Sequence, residues 1–210
     1  MRLFKDSKKI FCIGHNKTGT TTIEAVFKQF GYKLGNQVRG ELLLENWYNR
    51  DFKSIVKFSK TAEAFQDIPF SLPYTFQHLD EAFSEAKFIL TVRDSAEQWY
   101  ISLTRFHAKL WTGGERIPTL EDLKMANYRK PNYVYQANRW IYNTPESQPY
   151  DKAIMMAFYR HYNTTVIDYF RSRPHKLCII NVSNPEDYAK LCRFLNQPIH
   201  ASDFPWTNKT

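Results

Sequence analysis

Apolar positions along the chain follow two rhythms. Residues 9–13 (Lys-Ile-Phe-Cys-Ile) are a short apolar run closed by Gly14, the pattern of a buried strand. Beyond Gly19, the residues Ile23, Val26, Phe27 and Phe30 fall at i, i+3, i+4 and i+7, which predicts a helix that Gly31 ends. Ala62–Gln66 reads as a second strand, stopped by Asp67 and Pro69. Lys87-Phe-Ile-Leu-Thr-Val92 is the strongest strand signal, nearly continuous as in sheets buried on both faces. Asp94 then offers an N-cap with Glu97 as its box partner, ahead of a stripe of Trp99, Leu103, Phe106 and Leu110. Leu177–Ile180 predicts a further strand. Asn184-Pro185-Glu186-Asp187 follows as a helix start with proline in the first turn, leading into Tyr188, Leu191, Cys192 and Leu195. Strands alternating with amphipathic helices predict an α/β fold with a parallel sheet, built as a single domain over 1–210.

Residues 111–150 break this rhythm. They hold Gly113-Gly114, the prolines 118, 131, 145 and 149, and exposed-type aromatics including Tyr128, Tyr133, Tyr135, Trp140 and Tyr142. The stretch is expected to be a lid or insertion over a site.

Composition narrows the class. At 210 residues, with 43% hydrophobic and 24% charged, the chain can bury one sizeable core, and general disorder is excluded. No apolar run reaches the roughly 18–20 residues of a membrane span. The charged start, Met1 to Ile10, lacks an apolar centre, so no signal peptide is expected. Cys12, Cys178 and Cys192 are odd in number, far apart and set among apolar residues. They read as buried reduced thiols of a cytoplasmic protein rather than a disulfide framework or a zinc site. The net charge of +8 suits an anionic ligand or a solvated basic surface, and charge alone does not choose. Lys and Arg are scattered without the clustered basic and aromatic pattern of nucleic-acid binding, so no nucleic acid is expected and a basic nucleic-acid-binding protein stands only as an alternative reading.

The segment most suited to an anion is Gly14-His15-Asn16-Lys17-Thr18-Gly19-Thr20-Thr21-Thr22, lying between a predicted strand and a predicted helix. Amides converge at such a helix start and its dipole favours negative charge. Lysine adds a point charge and the threonines add hydroxyl donors. In the nucleotide-triphosphatase loop the lysine follows the last glycine, whereas here Lys17 precedes Gly19. No apolar strand ending in an aspartate offers a clear magnesium site, so a small-molecule kinase is the alternative reading rather than the first.

Gly14-x-x-Lys17-Thr18-Gly19-Thr20-Thr21 resembles the 5′-phosphosulfate loop of the sulfotransferases that use 3′-phosphoadenosine 5′-phosphosulfate (PAPS). Phe88-Ile-Leu-Thr-Val-Arg93-Asp94, followed by Trp99-Tyr100 and Ser102, resembles the strand and helix with which that family holds the 3′-phosphate. The tail, Cys192-Arg-Phe-Leu195 with Pro198 and Phe204-Pro205, resembles the closing helix of bacterial-type members. The resemblance runs from residue 9 to 206 and is weakest across 36–60 and 111–160, where acceptors are usually chosen.

That resemblance implies a P-loop-type parallel sheet flanked by helices, and sulfuryl transfer from PAPS to a hydroxyl or amine of a small-molecule, carbohydrate or other acceptor. It implies no metal, and the histidines show no ligand spacing. Lys17 would meet the leaving phosphate. Asn16, Thr18, Gly19, Thr20, Thr21 and Thr22 would bind the 5′-phosphate, while His15 in the same loop reads equally as a phosphate ligand or as a side chain pointing to solvent. Arg93 would bind the 3′-phosphate, its other reading being a surface pair with Asp94. Ser102 stands ninth after Arg93 where the family serine commonly stands eighth, a rotation of about 100° on a helix. Asp67, just past a strand, and His107, inside a helix, are the two candidates for the general base. Asp67 reads equally as a loop cap before Pro69.

Overall fold

The computed structural model describes residues 9–205. They fall into two compact units, 9–92 with 165–205, and 93–164.

The first unit is built on a four-stranded, all-parallel sheet of β1 (Ile10–Cys12), β2 (Ala64–Gln66), β3 (Lys87–Thr91) and β4 (Leu177–Ile180), in the order β2-β1-β3-β4. All four strands lie where the apolar runs predict them. Side chains alternate between two faces, and both are covered. On one face Phe11 is fully buried and its ring lies 5.6 Å from those of Phe65 and Phe88 and 5.7 Å from Phe70. On the other, Ile10, Cys12, Ala64, Ile89, Cys178 and Ile180 form one buried cluster. That cluster receives Ile23, Val26 and Phe27 from α1 (Thr20–Gln29) and Tyr188, Leu191, Cys192 and Leu195 from the last helix. Phe204 joins it with its ring 5.4 Å from Tyr188, where the tail resemblance places a closing segment. Burying each such large apolar side chain is worth roughly 1.5–3 kcal/mol.

Between β1 and β2 the chain forms three short helices that no periodicity announces: α2 (Gln37–Glu41), α3 (Leu44–Tyr48) and α4 (Phe52–Ser59). Helix α5 (Thr75–Ala82) links β2 to β3. The whole second unit is the connection from β3 to β4, with α6 (Ala96–Trp111), α7 (Leu120–Met125), α8 (Tyr133–Tyr142) and most of α9 (Lys152–Phe170). A 3₁₀ turn over Pro174–Lys176 leads into β4, and α10 (Glu186–Leu195) ends the fold.

Several expectations need correction. The N-cap of α6 is Ser95, whose hydroxyl accepts the Gln98 amide at 3.0 Å, while Gln98 in turn accepts the Asp94 amide at 3.0 Å. This serine–glutamine pair displaces the Asp94–Glu97 box, and Glu97 instead holds Lys152 at 2.5 Å. The buried face of α6 is Trp99, Tyr100, Leu103, Thr104 and Ala108, whereas Phe106 and Leu110 face outward. Pro185 is the N-cap of α10 rather than its first residue. The aromatics of 111–150 are not surface decoration: Tyr133 and Tyr142 are buried, and Tyr142 packs on Trp99 at 6.2 Å and Phe158 at 5.2 Å. Helix α9 buries Met155, Tyr159, Tyr162, Val166 and Phe170, a four-three spacing present in the sequence but masked by its tyrosines.

Among the described residues, no helix is long and apolar enough to cross a membrane. Cys12, Cys178 and Cys192 are buried free thiols, as their setting predicts.

Candidate functional site

Strand order decides where a ligand can sit. From β1 the chain leaves toward β2, and from β3 it leaves toward β4, so the connections diverge between neighbouring strands. In open parallel sheets that divergence makes a crevice at the carboxyl ends. β3 outruns β1: Cys12 pairs with Ile89, and β3 continues to Thr91 beside the loop that leaves β1.

The loop is pressed onto that overhang. A Cβ at Gly14 would lie 2.0 Å from Thr91 Oγ1 and 2.4 Å from the Thr91 carbonyl oxygen, so only glycine fits. Gly19 has φ +105°, and a Cβ there would lie 2.4 Å from Val182, in the segment after β4. Strand β3 and the segment after β4 thus set the two ends of the loop. Thr18 is fully buried and tightens the middle. Its amide donates to the His15 carbonyl at 3.2 Å, its hydroxyl bonds to that same carbonyl, and it lies 2.5 Å from the Thr91 hydroxyl. The amide and the hydroxyl of Thr18 are therefore both engaged by the loop and β3. Lys17, half-buried, adopts a left-handed backbone with φ 67°.

Helix α1 starts with Gly19 as N-cap, with no side-chain cap and no acidic residue in its first turn. Its first intrahelical bond runs from Ile23 N–H to the Gly19 carbonyl at 3.1 Å. By helix geometry the amides of Thr20, Thr21 and Thr22 have no acceptor inside the helix. Their dipole end, the adjoining Lys17 and the exposed Thr21 together make a donor set suited to one phosphate group.

His15 does not point to solvent; it is 2% exposed, and burial pushes its pKa down to about 3. The imidazole is neutral at any physiological pH and supplies dipoles rather than charge. Asp67 follows β2 at the same carboxyl edge, half-buried, with φ 63°. Its Oδ1 accepts the Ile68 amide at 2.9 Å ahead of a cis bond to Pro69, the cap geometry that the sequence allows. Its charge reaches β1, adding to burial in pushing the Cys12 thiol up to about 12.

The remaining predicted residues belong to the second unit. The half-buried Arg93 begins it, with its amide donating to the Tyr159 hydroxyl at 2.9 Å. Ser102 is half-buried on α6, beside the exposed Ile101. His107 sits in the fourth turn of α6, its Nδ1 2.8 Å from the Tyr150 hydroxyl and its ring 4.4 Å from that of Trp111. Tyr150 in turn lines an open cavity of about 670 Å³ between 117–121 and 146–153, within this unit. Among the described residues, no cluster of three or more His, Cys, Asp or Glu side chains could hold a metal ion.

The sulfotransferase domain family model matches residues 9–210, nearly the whole chain. The chain belongs to the sulfotransferase family. It is thus a transferase domain, and its sheet with the loop after β1 is the α/β P-loop arrangement of that family. No curated protein matches the sequence. Sequence reasoning missed the roles of Thr91 and Val182, which lie 77 and 168 positions beyond Gly14 (91 − 14 and 182 − 14) and carry no local signature. The inward turn of Thr18 was equally hidden, since its sequence neighbours do not show which hydroxyl faces the sheet.

Proposed function

We propose that this sulfotransferase takes its sulfuryl group from PAPS and delivers it to a hydroxyl or amine of an acceptor. The observation that carries the reading is the uncapped start of α1 beside Lys17, held by two glycines that accept no side chain. A phosphate fits that donor set: amides from Thr20 to Thr22, the hydroxyls of Thr21 and Thr22, and one ammonium. When bound, PAPS supplies the sulfuryl group and a phosphate oxygen as its leaving atom.

The chain's own residues then have distinct tasks. The α1 amides and threonine hydroxyls hold the 5′-phosphate, with Gly19, His15 and Asn16 shaping the loop around it. Thr18 fixes the loop on Thr91 instead of reaching the ligand. Lys17 stabilises the charge that grows on the leaving oxygen, a contact stronger in the transition state than before it. Arg93 offers a forked donor to the 3′-phosphate, with Ser102 as an accessory donor. Asp67 accepts the acceptor's proton; its place at the edge that carries the loop favours it over His107, which is engaged by Tyr150 and Trp111. The buried free thiols fit a cytoplasmic setting.

The kinase alternative separates cleanly in one experiment. Calorimetry and thermal melting are run with the product 3′-phosphoadenosine 5′-phosphate (PAP), without metal, against ATP with magnesium. PAP should raise the melting temperature, since ligand at 100 times its Kd adds about 2.7 kcal/mol to the native state. A shift with ATP and magnesium but none with PAP at millimolar concentration overturns the reading. To assign the base, Asp67→Asn should lower turnover by ~10²–10⁴ with PAP affinity retained. If His107→Gln has that effect and Asp67→Asn is nearly silent, the roles are exchanged.

A further inference from the structure

Among the described residues of the first unit, four that are neither glycine nor asparagine have a positive φ: Lys17 at 67°, Arg50 at 60°, Asp67 at 63° and Tyr74 at 68°. Left-handed backbone is unfavourable for such side chains and persists where the surroundings over-determine it. Two of the four carry the chemistry proposed above. The other two meet each other, with the Arg50 guanidinium 4.7 Å from the centre of the Tyr74 ring.

The pair is built rather than incidental. Tyr74 closes the loop that Asp67 opens, and that loop is tied throughout: Ser71 N–H to the Asp67 carbonyl at 3.0 Å, Leu72 N–H to Pro69 at 3.2 Å and Thr75 N–H to Leu72 at 3.3 Å. The Trp47 indole N–H donates to the Pro73 carbonyl at 2.8 Å and pins the loop to α3. On the other side Asp51 follows Arg50, caps α4 through the Ser54 amide at 3.2 Å and takes Asn46 at 2.9 Å. Beneath, Phe52 stacks on His78 at 4.1 Å.

The core has no use for this tyrosine. Tyr74 is 50% exposed, as is Tyr48 next to Trp47, and Arg50 is exposed. Glycine or asparagine at 74 would adopt the same φ with less strain, in exchange for the half of the ring that is covered. A strained, half-exposed ring with a guanidinium over it has the parts of a recognition element. The ring offers a flat apolar face to the C–H side of a pyranose, and the guanidinium fork retains donors for a carboxylate or sulfate. An open surface on a chain of net charge +8 suits an extended anionic ligand.

We propose that Arg50 and Tyr74 form a docking element for an anionic saccharide, the acceptor class of this enzyme. Calling it the acceptor rests on the sulfotransfer reading, whereas the binding itself does not. The test is calorimetry of the full chain with a hexasaccharide of alternating glucuronate and N-acetylglucosamine, compared with the neutral N-acetylglucosamine hexamer. The uronate chain should bind at least about tenfold tighter. Tyr74→Asn should weaken it about tenfold or more while the melting temperature holds or rises. Arg50→Asn should erase the preference between the two sugars. Equal binding of both sugars, or no binding of either, overturns the proposal. So does a fall in melting temperature in Tyr74→Asn with sugar affinity unchanged, or a simple phenol that binds at Tyr74 in place of the saccharide. PAP is titrated in parallel. PAP binding without saccharide binding sinks this element alone; saccharide binding at Tyr74 without PAP binding sinks the sulfotransfer reading and leaves the element standing.

Discussion

At the edge where the strands begin, Lys9, Lys87 and Lys176 stand just before or at the first residue of β1, β3 and β4, and each ammonium is turned back into protein. Lys9 Nζ donates to the Ala62 carbonyl at 2.5 Å, Lys87 to the Phe194 carbonyl near the end of α10, and Lys176 to the Asp80 carboxylate. Asp80 also takes Arg173 and the Tyr169 hydroxyl, the latter at 3.0 Å. At the edge where the strands end, the donors are the first amides of α1, and the chain supplies them with neither a cap nor an acid. The two edges differ in what their backbone and side-chain donors meet. One edge is saturated by its own carbonyls and carboxylate and holds the fold together; at the other, the first amides of α1 have no acceptor within the helix.

The strongest way to break this contrast is at Asp80. Burial alone would raise its pKa, but hydrogen bonds from Lys176, Arg173 and Tyr169 hold it below the usual carboxylate value. Asp80→Ala would strand Lys176, whose side chain is 10% exposed, and should cost about 3–5 kcal/mol in chemical denaturation. PAP affinity of the folded fraction should stay unchanged. A loss of PAP binding without a loss of stability would show that the edges are not separate in purpose.

At the other edge, Lys17→Ala should do the reverse. Turnover should fall ~10²–10³ while the melting temperature of the unliganded protein stays near wild type. Near-normal turnover would remove Lys17 from the chemistry even with the family assignment intact.

A change seen only on acidification sharpens the comparison at His15. Its folded pKa of about 3 lies below the 6.5 of an exposed histidine, so the unfolded chain binds the extra proton first. Stability from keeping it neutral is complete above pH 6.5 and is lost as pH falls from there toward 3. The slope should approach about 1.4 kcal/mol per pH unit, and His15→Gln should flatten it. An unchanged slope in the variant would mean that His15 titrates normally.

How far the sequence could be read follows from the range of each interaction. The strands and α1 were legible because apolar runs and i, i+3, i+4 spacing are local consequences of two-sided burial. The α6 cap was not, because two overlapping cap pairs, Asp94–Glu97 and Ser95–Gln98, compete on equal local terms, and Lys152 draws Glu97 away from 55 positions downstream. Helices α2 to α4 bury few residues each and leave no long period to detect. Within the site, the glycines and Lys17 showed in the loop pattern, but the reason each glycine is required lies on β3 and after β4. Arg50 and Tyr74 were invisible for the same reason: a left-handed backbone leaves no mark on a sequence when the residue is neither glycine nor asparagine.

The three thiols give this core a built-in clock. Burial pushes Cys12 up to about 12 and Cys178 up to about 11, and it raises Cys192 as well. Alkylation needs a thiolate in contact with reagent, so labelling proceeds only through opening events. Cys12 ends the central strand β1, ahead of the loop that leads to α1, and Cys192 lies on the last helix. Their modification rates, separated by peptide mapping, therefore time the release of α10 and the parting of the central strands as distinct events.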